Sequence, residues 1–248
     1  MLVATTSLRD AIAPTGKLRA GINYGNFIIV TKDQATGESS GAAIDLMNDL
    51  AQRLGIPSEI VAYDSVVVMG DAASDNVWDI AFLGADPQRE KLMSFTAPYF
   101  ELDATYLVPS NSPFGTATEV DRNDVRVAAP ERVNYELFLS RSLKYAQLVS
   151  TQGEDAAFDL LVTGKVDALA GLTQRLYDLS KKLPGSRVLD GRFMGVPQAI
   201  AIPKDRSACF AYIHSLVEEA KKSGLLAHAV DVVKQRGIQG VSVAPLAN

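Results

Sequence analysis

The sequence predicts an α/β protein of two lobes, each built on a parallel sheet covered by helices, with two strands passing between the lobes. Three observations predict it. Short continuous apolar runs alternate with segments of three- and four-residue apolar spacing, as strands buried on both faces alternate with amphipathic helices. The alternation restarts after a turn-rich stretch at residues 110–115. The last part of the chain then offers one apolar strand and two helices without a sheet of their own.

In order, residues 17–23 read as a strand, and the helix after Gly41 carries Ile44, Met47, Ala51 and Leu54 on one face. Residues 58–63 form a second strand, 66–76 a second helix and 78–84 a third strand with both faces apolar. A first lobe therefore ends near residue 100. Residues 110–115, SNSPFG, belong between lobes rather than inside a sheet. The second set begins with a strand at 125–129 and a helix from about Asn134 bearing Leu137, Phe138 and Leu139. A strand at 147–151, a helix at 154–163 stopping at a C′ Gly164, and a buried strand at 167–172 complete it. A strand at 198–202 precedes a helix with Ile213, Leu216, Val217 and Ala220, and a shorter one at 225–236. These two helices return to cover the first lobe. Lobe 1 is thus expected at 1–102 and 200–248 and lobe 2 at 108–195, joined through hinge strands near 101–108 and 196–202.

Composition limits the function classes. With 47% hydrophobic and 21% charged residues the chain of 248 folds, as one large domain or two small ones. The net charge of -5 without any Lys/Arg block argues against a nucleic acid partner. No apolar run approaches the roughly 18 residues of a membrane span. Residues 1–20 lack the charged n-region and apolar core of a secretory signal. The one cysteine, Cys209, excludes an internal disulfide and a Cys-based zinc site, and reads as a small buried helix residue. His214 and His228 fall in the C-terminal helices and build neither HExxH nor a Ser/His/Asp set. Without GxGxxG or a P-loop, no cofactor, metal or catalytic residue is expected.

Ligands of open α/β sheets bind outside the carboxyl ends of the strands. Here those ends are residues 23–26, 63–64, 84–86, 130–134 and 171–174, so a cleft between two facing lobes would be lined by Asn23, Tyr24, Asn26, Tyr63, Asp64, Gly84, Asp86, Arg132, Asn134, Leu172 and Gln174. Tyr24 and Tyr63 offer aromatic walls. Asp86-Pro87-Gln88-Arg89 is also a good helix opening, with Asp86 at the N-cap and Pro87 at N1.

The order of the pieces resembles family 3 of the extracellular solute-binding proteins of bacterial ABC importers. The carriers are residues 16–23 (GKLRAGIN), 41–46 (GAAIDL), 50–55 (LAQRLG) and 78–81 (WDIA). Arg89 followed six residues later by Phe95-Thr96-Ala97-Pro98-Tyr99 is similar to the family's Arg-x5-Phe-Ser-x-Pro-Tyr, and Gly164-Lys165-Val166-Asp167-Ala168 to its Gly-[Arg/Lys]-Val-Asp-Ala. The resemblance implies a type II periplasmic binding protein-like fold and a polar, amino acid-like ligand. It assigns Arg89 the grip on a ligand carboxylate, which a guanidinium makes with two parallel hydrogen bonds, and puts Asp86 where the family has a ligand-binding Thr or Ser.

Three departures qualify the implied ligand. The interval from Asp79 to Arg89 is two residues shorter than the family's. The family's acidic partner for a ligand α-ammonium is here Leu172, a loss of a charge-assisted bond of about 1.5–3 kcal/mol unless Asp64, Asp86 or Glu131 substitutes. Residues 130–134 (PERVN) replace a Gly-Thr/Ser-rich turn, leaving the helix N-terminus and its positive field, with Arg132 as a second candidate cation. The expectation is a monomeric, periplasmic solute-binding protein, not an enzyme. It would capture a small carboxylate-bearing ligand, an amino acid or its deaminated analogue, by hinge closure and deliver it to a membrane ABC permease. The alternatives are a cyclohexadienyl dehydratase-like enzyme on the same fold, with Asp86 or Glu131 as general acid, and a cytoplasmic ligand sensor.

Overall fold

The computed structural model describes residues 5–247, which form two compact units. One comprises the chain up to Glu101, Pro197–Gly237 and the residues from Ser242 on; the other comprises Leu102–Val196 and Ile238–Val241.

The chain opens with α1 (Thr6–Ile12), which the Thr5 hydroxyl caps by accepting from the Leu8 N–H at 3.2 Å. β1 (Leu18–Asn23) follows, then a small antiparallel ribbon of β2 (Thr31–Lys32) and β3 (Ser39–Ser40). α2 (Ala42–Leu54) buries Leu46, Met47, Leu50 and Leu54 and ends on Gly55 in the left-handed region, φ 65°. β4 (Ser58–Tyr63), α3 (Val66–Asp71), β5 (Ile80–Gly84) and β6 (Met93–Phe95) lead to β7 (Phe100–Val108), on which the chain leaves the first unit. The first sheet runs β4-β1-β5 in parallel. Its next neighbour is the returning strand β12 (Met194–Pro203), antiparallel to β5 with Gln198 opposite Gly84. Every residue of β5 is buried, as its unbroken apolar sequence requires of a strand covered on both faces. On one side Met69, Trp78, Ala81, Leu83 and Met93 pack together, and the Trp78 indole N–H donates to the Met69 carbonyl at 3.2 Å.

The second unit repeats the plan. β8 (Arg126–Pro130), α4 (Asn134–Ser142), β9 (Gln147–Thr151), α5 (Glu154–Val162), β10 (Ala168–Leu172), α6 (Thr173–Ser180) and β11 (Arg187–Val188) follow in order. β9, β8 and β10 are parallel, and β7 runs antiparallel to β10 and to β11. Successive residues face opposite sides: Val127, Ala129, Ala168 and Ala170 join one core, Ala128 and Leu169 the other. After β12, α7 (Phe210–Lys222), α8 (Leu225–Gln235) and β13 (Val241–Val243) end the described chain. α7 is tied to α2 by Arg53, which donates to Asp49 at 2.8 Å and to Glu219 at 2.6 Å.

Several elements differ from the sequence expectation. Each sheet is mixed rather than all-parallel, because the strand that carries the chain between units is its antiparallel member. Residues 110–115 do not lie between units: they fall within the second, and Phe114 is buried in its core. Residues 238–241 leave the first unit, where the rest of the tail sits, because Gly240 and Gln239 bond to Asp103 and Gln174 of the second. α1 and α6 were not foreseen; α6 starts directly on the last residue of β10, with no loop or capping side chain to announce it. Cys209 is buried, in the 3-10 turn that precedes α7.

Candidate functional site

In the first unit, parallel register brings Asn23, Tyr63 and Gly84 to one end of the sheet. The Asn23 side-chain oxygen accepts from the Gly25 N–H at 2.9 Å and its carbonyl from Asn26 N–H at 3.1 Å, folding residues 23–26 into a tight turn. Tyr24 N–H donates to the Tyr63 carbonyl at 3.3 Å, while the Tyr24 hydroxyl meets the Ser39 hydroxyl at 2.6 Å and the Lys32 ammonium lies 5.7 Å from its ring. Tyr63 is half-buried against Met69 and Trp78, and that burial pushes its phenol up. Asp64 is exposed.

Gln198 ties these pieces together. It is 3% exposed, accepts from the Asn26 side-chain amide at 3.1 Å through Oε1, and receives the Tyr99 N–H at 2.8 Å on its carbonyl. The Asn26 Oδ1 is buried and, among the described residues, has no hydrogen-bond partner. Tyr99 is wholly buried between Phe82 and Phe100, which pushes its phenol up.

Arg89 is 9% exposed and donates through Nη1 to the Gly84 carbonyl at 2.9 Å, which fixes the guanidinium against the carboxyl end of β5. Asp86 is 2% exposed; its Oδ1 accepts from the Gln88 N–H at 2.8 Å and its carbonyl from Glu90 N–H at 3.0 Å. Asp86 therefore makes a local side-chain turn rather than the expected helix N-cap: the only helical turn that follows is the 3-10 turn Arg89–Lys91, whose N-cap is Gln88, before β6 begins at Met93.

In the second unit the carboxyl ends of β8, β9 and β10 carry the N-termini of α4, α5 and α6. Arg132 is exposed with φ 63°, and its N–H donates to Glu136 Oε2 at 2.9 Å. Glu136, 7% exposed, also accepts from the Ser150 hydroxyl at 2.8 Å. The positive field of α4 is therefore already met by an internal carboxylate in its first turn. Asn134 is buried as the first residue of α4. Leu172 is half-buried at the end of β10. Gln174 accepts from the Gln239 N–H at 3.2 Å, so its carbonyl oxygen is engaged within the second unit.

Sequence reasoning missed Gln198, Glu136 and the pair in which Arg175 donates to Glu154 at 2.6 Å, at the starts of α6 and α5. A polar residue interrupting the apolar run 194–203 was the one available signal for Gln198. Among the described residues no helix is long and apolar enough to cross a membrane, and no three His, Cys, Asp or Glu converge as metal ligands.

Comparison with known proteins agrees with this architecture. The model of the bacterial extracellular solute-binding proteins, family 3, matches residues 18–231. A glutamine-binding protein of Geobacillus stearothermophilus is 23% identical over 208 residues, covering 82% of this chain and 78% of its own. The ABC transporter arginine-binding protein 1 of Escherichia coli is 23% identical over 199 residues, 77% and 79% of the two chains. Among solved structures, a solute receptor for L-cysteine of Neisseria gonorrhoeae superposes with TM-score 0.73 at 21% identity, covering 96% of this chain and 99% of that one. An ancestral amino acid-binding protein, described as a precursor of cyclohexadienyl dehydratase, superposes with TM-score 0.68 at 25% identity, covering 91% and 98%.

Proposed function

Since the chain belongs to family 3 of the bacterial extracellular solute-binding proteins, we propose that it captures a small carboxylate-bearing solute outside the cytoplasm, by closure of its two lobes, and hands it to an ABC permease unchanged. The observation that carries the reading is Arg89. Its guanidinium is withdrawn from solvent and oriented by the Gly84 carbonyl, and a desolvated, fixed guanidinium binds a carboxylate more strongly than a mobile surface one. Leu172 refines the solute class. An apolar side chain at the position where the family resemblance implies an acid favours a carboxylate without a free α-ammonium, such as a 2-oxo, hydroxy or aromatic acid. The named relatives bind glutamine, arginine or cysteine, so this chain is read as a member with altered head-group recognition.

Mass spectrometry of small molecules released from the purified protein tests the reading, and solution scattering with the recovered solute tests closure. Recovery of a carboxylic acid and a smaller radius of gyration are expected; a saturating ligand that leaves the radius unchanged removes the closure mechanism. A dehydratase reading is favoured by one observation, the resemblance to the ancestral precursor of cyclohexadienyl dehydratase. Turnover of a prephenate- or arogenate-like acid, lost in Asp86→Asn or Glu131→Gln, would establish that reading instead.

A further inference from the structure

Ile238–Val241 belongs to the second unit although α8 before it and the residues after it belong to the first. The segment is held closely. The Gly240 carbonyl accepts from the Asp103 N–H at 2.8 Å, the Gln239 N–H donates to Gln174 Oε1 at 3.2 Å, and Ile238 and Val241 are buried. The receiving surface is itself braced: the Thr173 hydroxyl donates to the Asp103 carbonyl at 3.0 Å, and Arg192 Nη1 to the Asp103 carboxylate at 2.7 Å. Gly240 has φ 70°, and a Cβ there would stand 3.0 Å from the Thr173 Cβ and 3.2 Å from the Asp103 Cβ. The left-handed backbone favours glycine, and any side chain there would also press on both neighbours.

The surface that receives this segment is the turn from β10 into α6, whose residues Leu172 and Gln174 belong to the candidate ligand face. We propose that Gln239 and Gly240 act as a third tether between the lobes, beside β7 and β12, and position the Leu172–Gln174 turn. The inference rests on the reading that the lobes close. Each additional crossing of the chain removes freedom from a hinge, so a docked 238–241 narrows the range of lobe orientations in the unliganded protein and couples any lobe movement to that turn.

The test needs no ligand. Spin labels at Gln52→Cys and Lys182→Cys, in a Cys209→Ala background, report the distance distribution between lobes by pulsed electron resonance. Gly240→Val, and separately Gln174→Leu with Gly240→Ala, are expected to broaden the distribution about 1.5-fold relative to the parent while each lobe keeps its own fold. A role confined to local stability would lower the unfolding midpoint and leave the distribution unchanged, and that result overturns the proposal. Pro197→Gly, at the point where β12 re-enters the first lobe, is the control. If it broadens the distribution and the tether variants do not, the tether is refuted while lobe motion stands; if none of the three does, the closure reading falls as well.

Discussion

Arg19 closes on Asp79 with its backbone N–H at 2.8 Å, Nε at 3.2 Å and Nη2 at 2.8 Å, while the Asp79 N–H returns a bond to the Arg19 carbonyl at 2.8 Å. The second lobe makes the same clasp. Arg126 meets Asp167 through its N–H at 2.8 Å, Nε at 3.1 Å and Nη2 at 3.1 Å, and Asp167 N–H answers at 2.9 Å. In both, the guanidinium also reaches the carbonyl of the left-handed residue three positions before the aspartate, Asn76 in one lobe and Gly164 in the other. The clasp joins β1 to the residue just before β5 in one lobe, and β8 to the residue just before β10 in the other. It stands at the strands' amino ends, opposite the candidate ligand face.

The two clasps differ in burial, and the difference predicts unequal energies. The Asp79 side chain is fully buried and also receives Arg206, whereas Asp167 and Arg126 are substantially exposed. Asp79→Ala strands two largely buried guanidinium groups and is expected to cost about 3 kcal/mol. Asp167→Ala is expected to cost clearly less, since water takes over the lost bonds. Urea unfolding of both variants measures this, and equal losses would show that burial does not set the value of the clasp.

Acid should loosen the second clasp. The Arg126 side chain, with its backbone N–H, holds the Asp167 carboxyl below the usual carboxylate range. A group whose folded pKa is lowered contributes stability above its unfolded value, near pH 4, and loses it as pH falls through the folded value. Stability measured from pH 5 down to pH 2 should therefore fall less steeply in Asp167→Asn than in the parent, and identical slopes would refute the assignment.

Two glycines separate backbone strain from collision. Gly55 has φ 65° with nothing near its missing Cβ, while Gly41 has φ 119° and a Cβ there would lie 2.6 Å from the Ile29 carbonyl oxygen. Gly55→Ala should cost about 1 kcal/mol, the left-handed penalty alone. Gly41→Ala must also push the Ile29 carbonyl away from the Ala43 N–H it accepts at 3.1 Å, at the start of α2. A loss of roughly 2–4 kcal/mol is expected, read as the drop in thermal midpoint.

The sequence made legible what local pattern encodes. The unbroken apolar run of β5, the amphipathic face of α2 and the glycine stop after α5 were all readable, because strand burial and helix termination depend on neighbours in the chain. The turn that Asp86 makes with the Gln88 N–H was readable for the same reason, though not as the helix cap expected of it. What escaped depends on distant partners. Gln198 joins the candidate site only through its register against Gly84 and its bond to Asn26, 172 positions away. Residues 238–241 look like an ordinary tail until Asp103 and Thr173 are brought beside them. Arg132 in the left-handed region carries no local sign, being neither glycine nor asparagine.

The solute itself is the sharpest test. Arg89 offers a fixed, nearly buried guanidinium, and Leu172 offers only apolar contact at the end of β10. If these two residues read the head group, calorimetry with matched pairs, each an α-amino acid and its deaminated analogue, should favour the deaminated member. Arg89→Ala should weaken that acid by roughly ten- to several-hundred-fold, the loss of a charge-assisted bond. Leu172→Asp should move selectivity the other way, creating weak affinity for the amino acid while repelling the native acid. Tighter binding of the amino member by the parent protein would mean that another acid, Asp86 or Asp64 of the first lobe or Glu131 of the second, supplies the ammonium partner. Asp86, buried at 2% exposure and three residues before Arg89 where Asp64 and Glu131 are exposed, is then the first side chain to replace. Asp86→Asn would abolish the preference for the amino member if Asp86 is that partner, and a preference that survives it moves the role to Asp64 or Glu131.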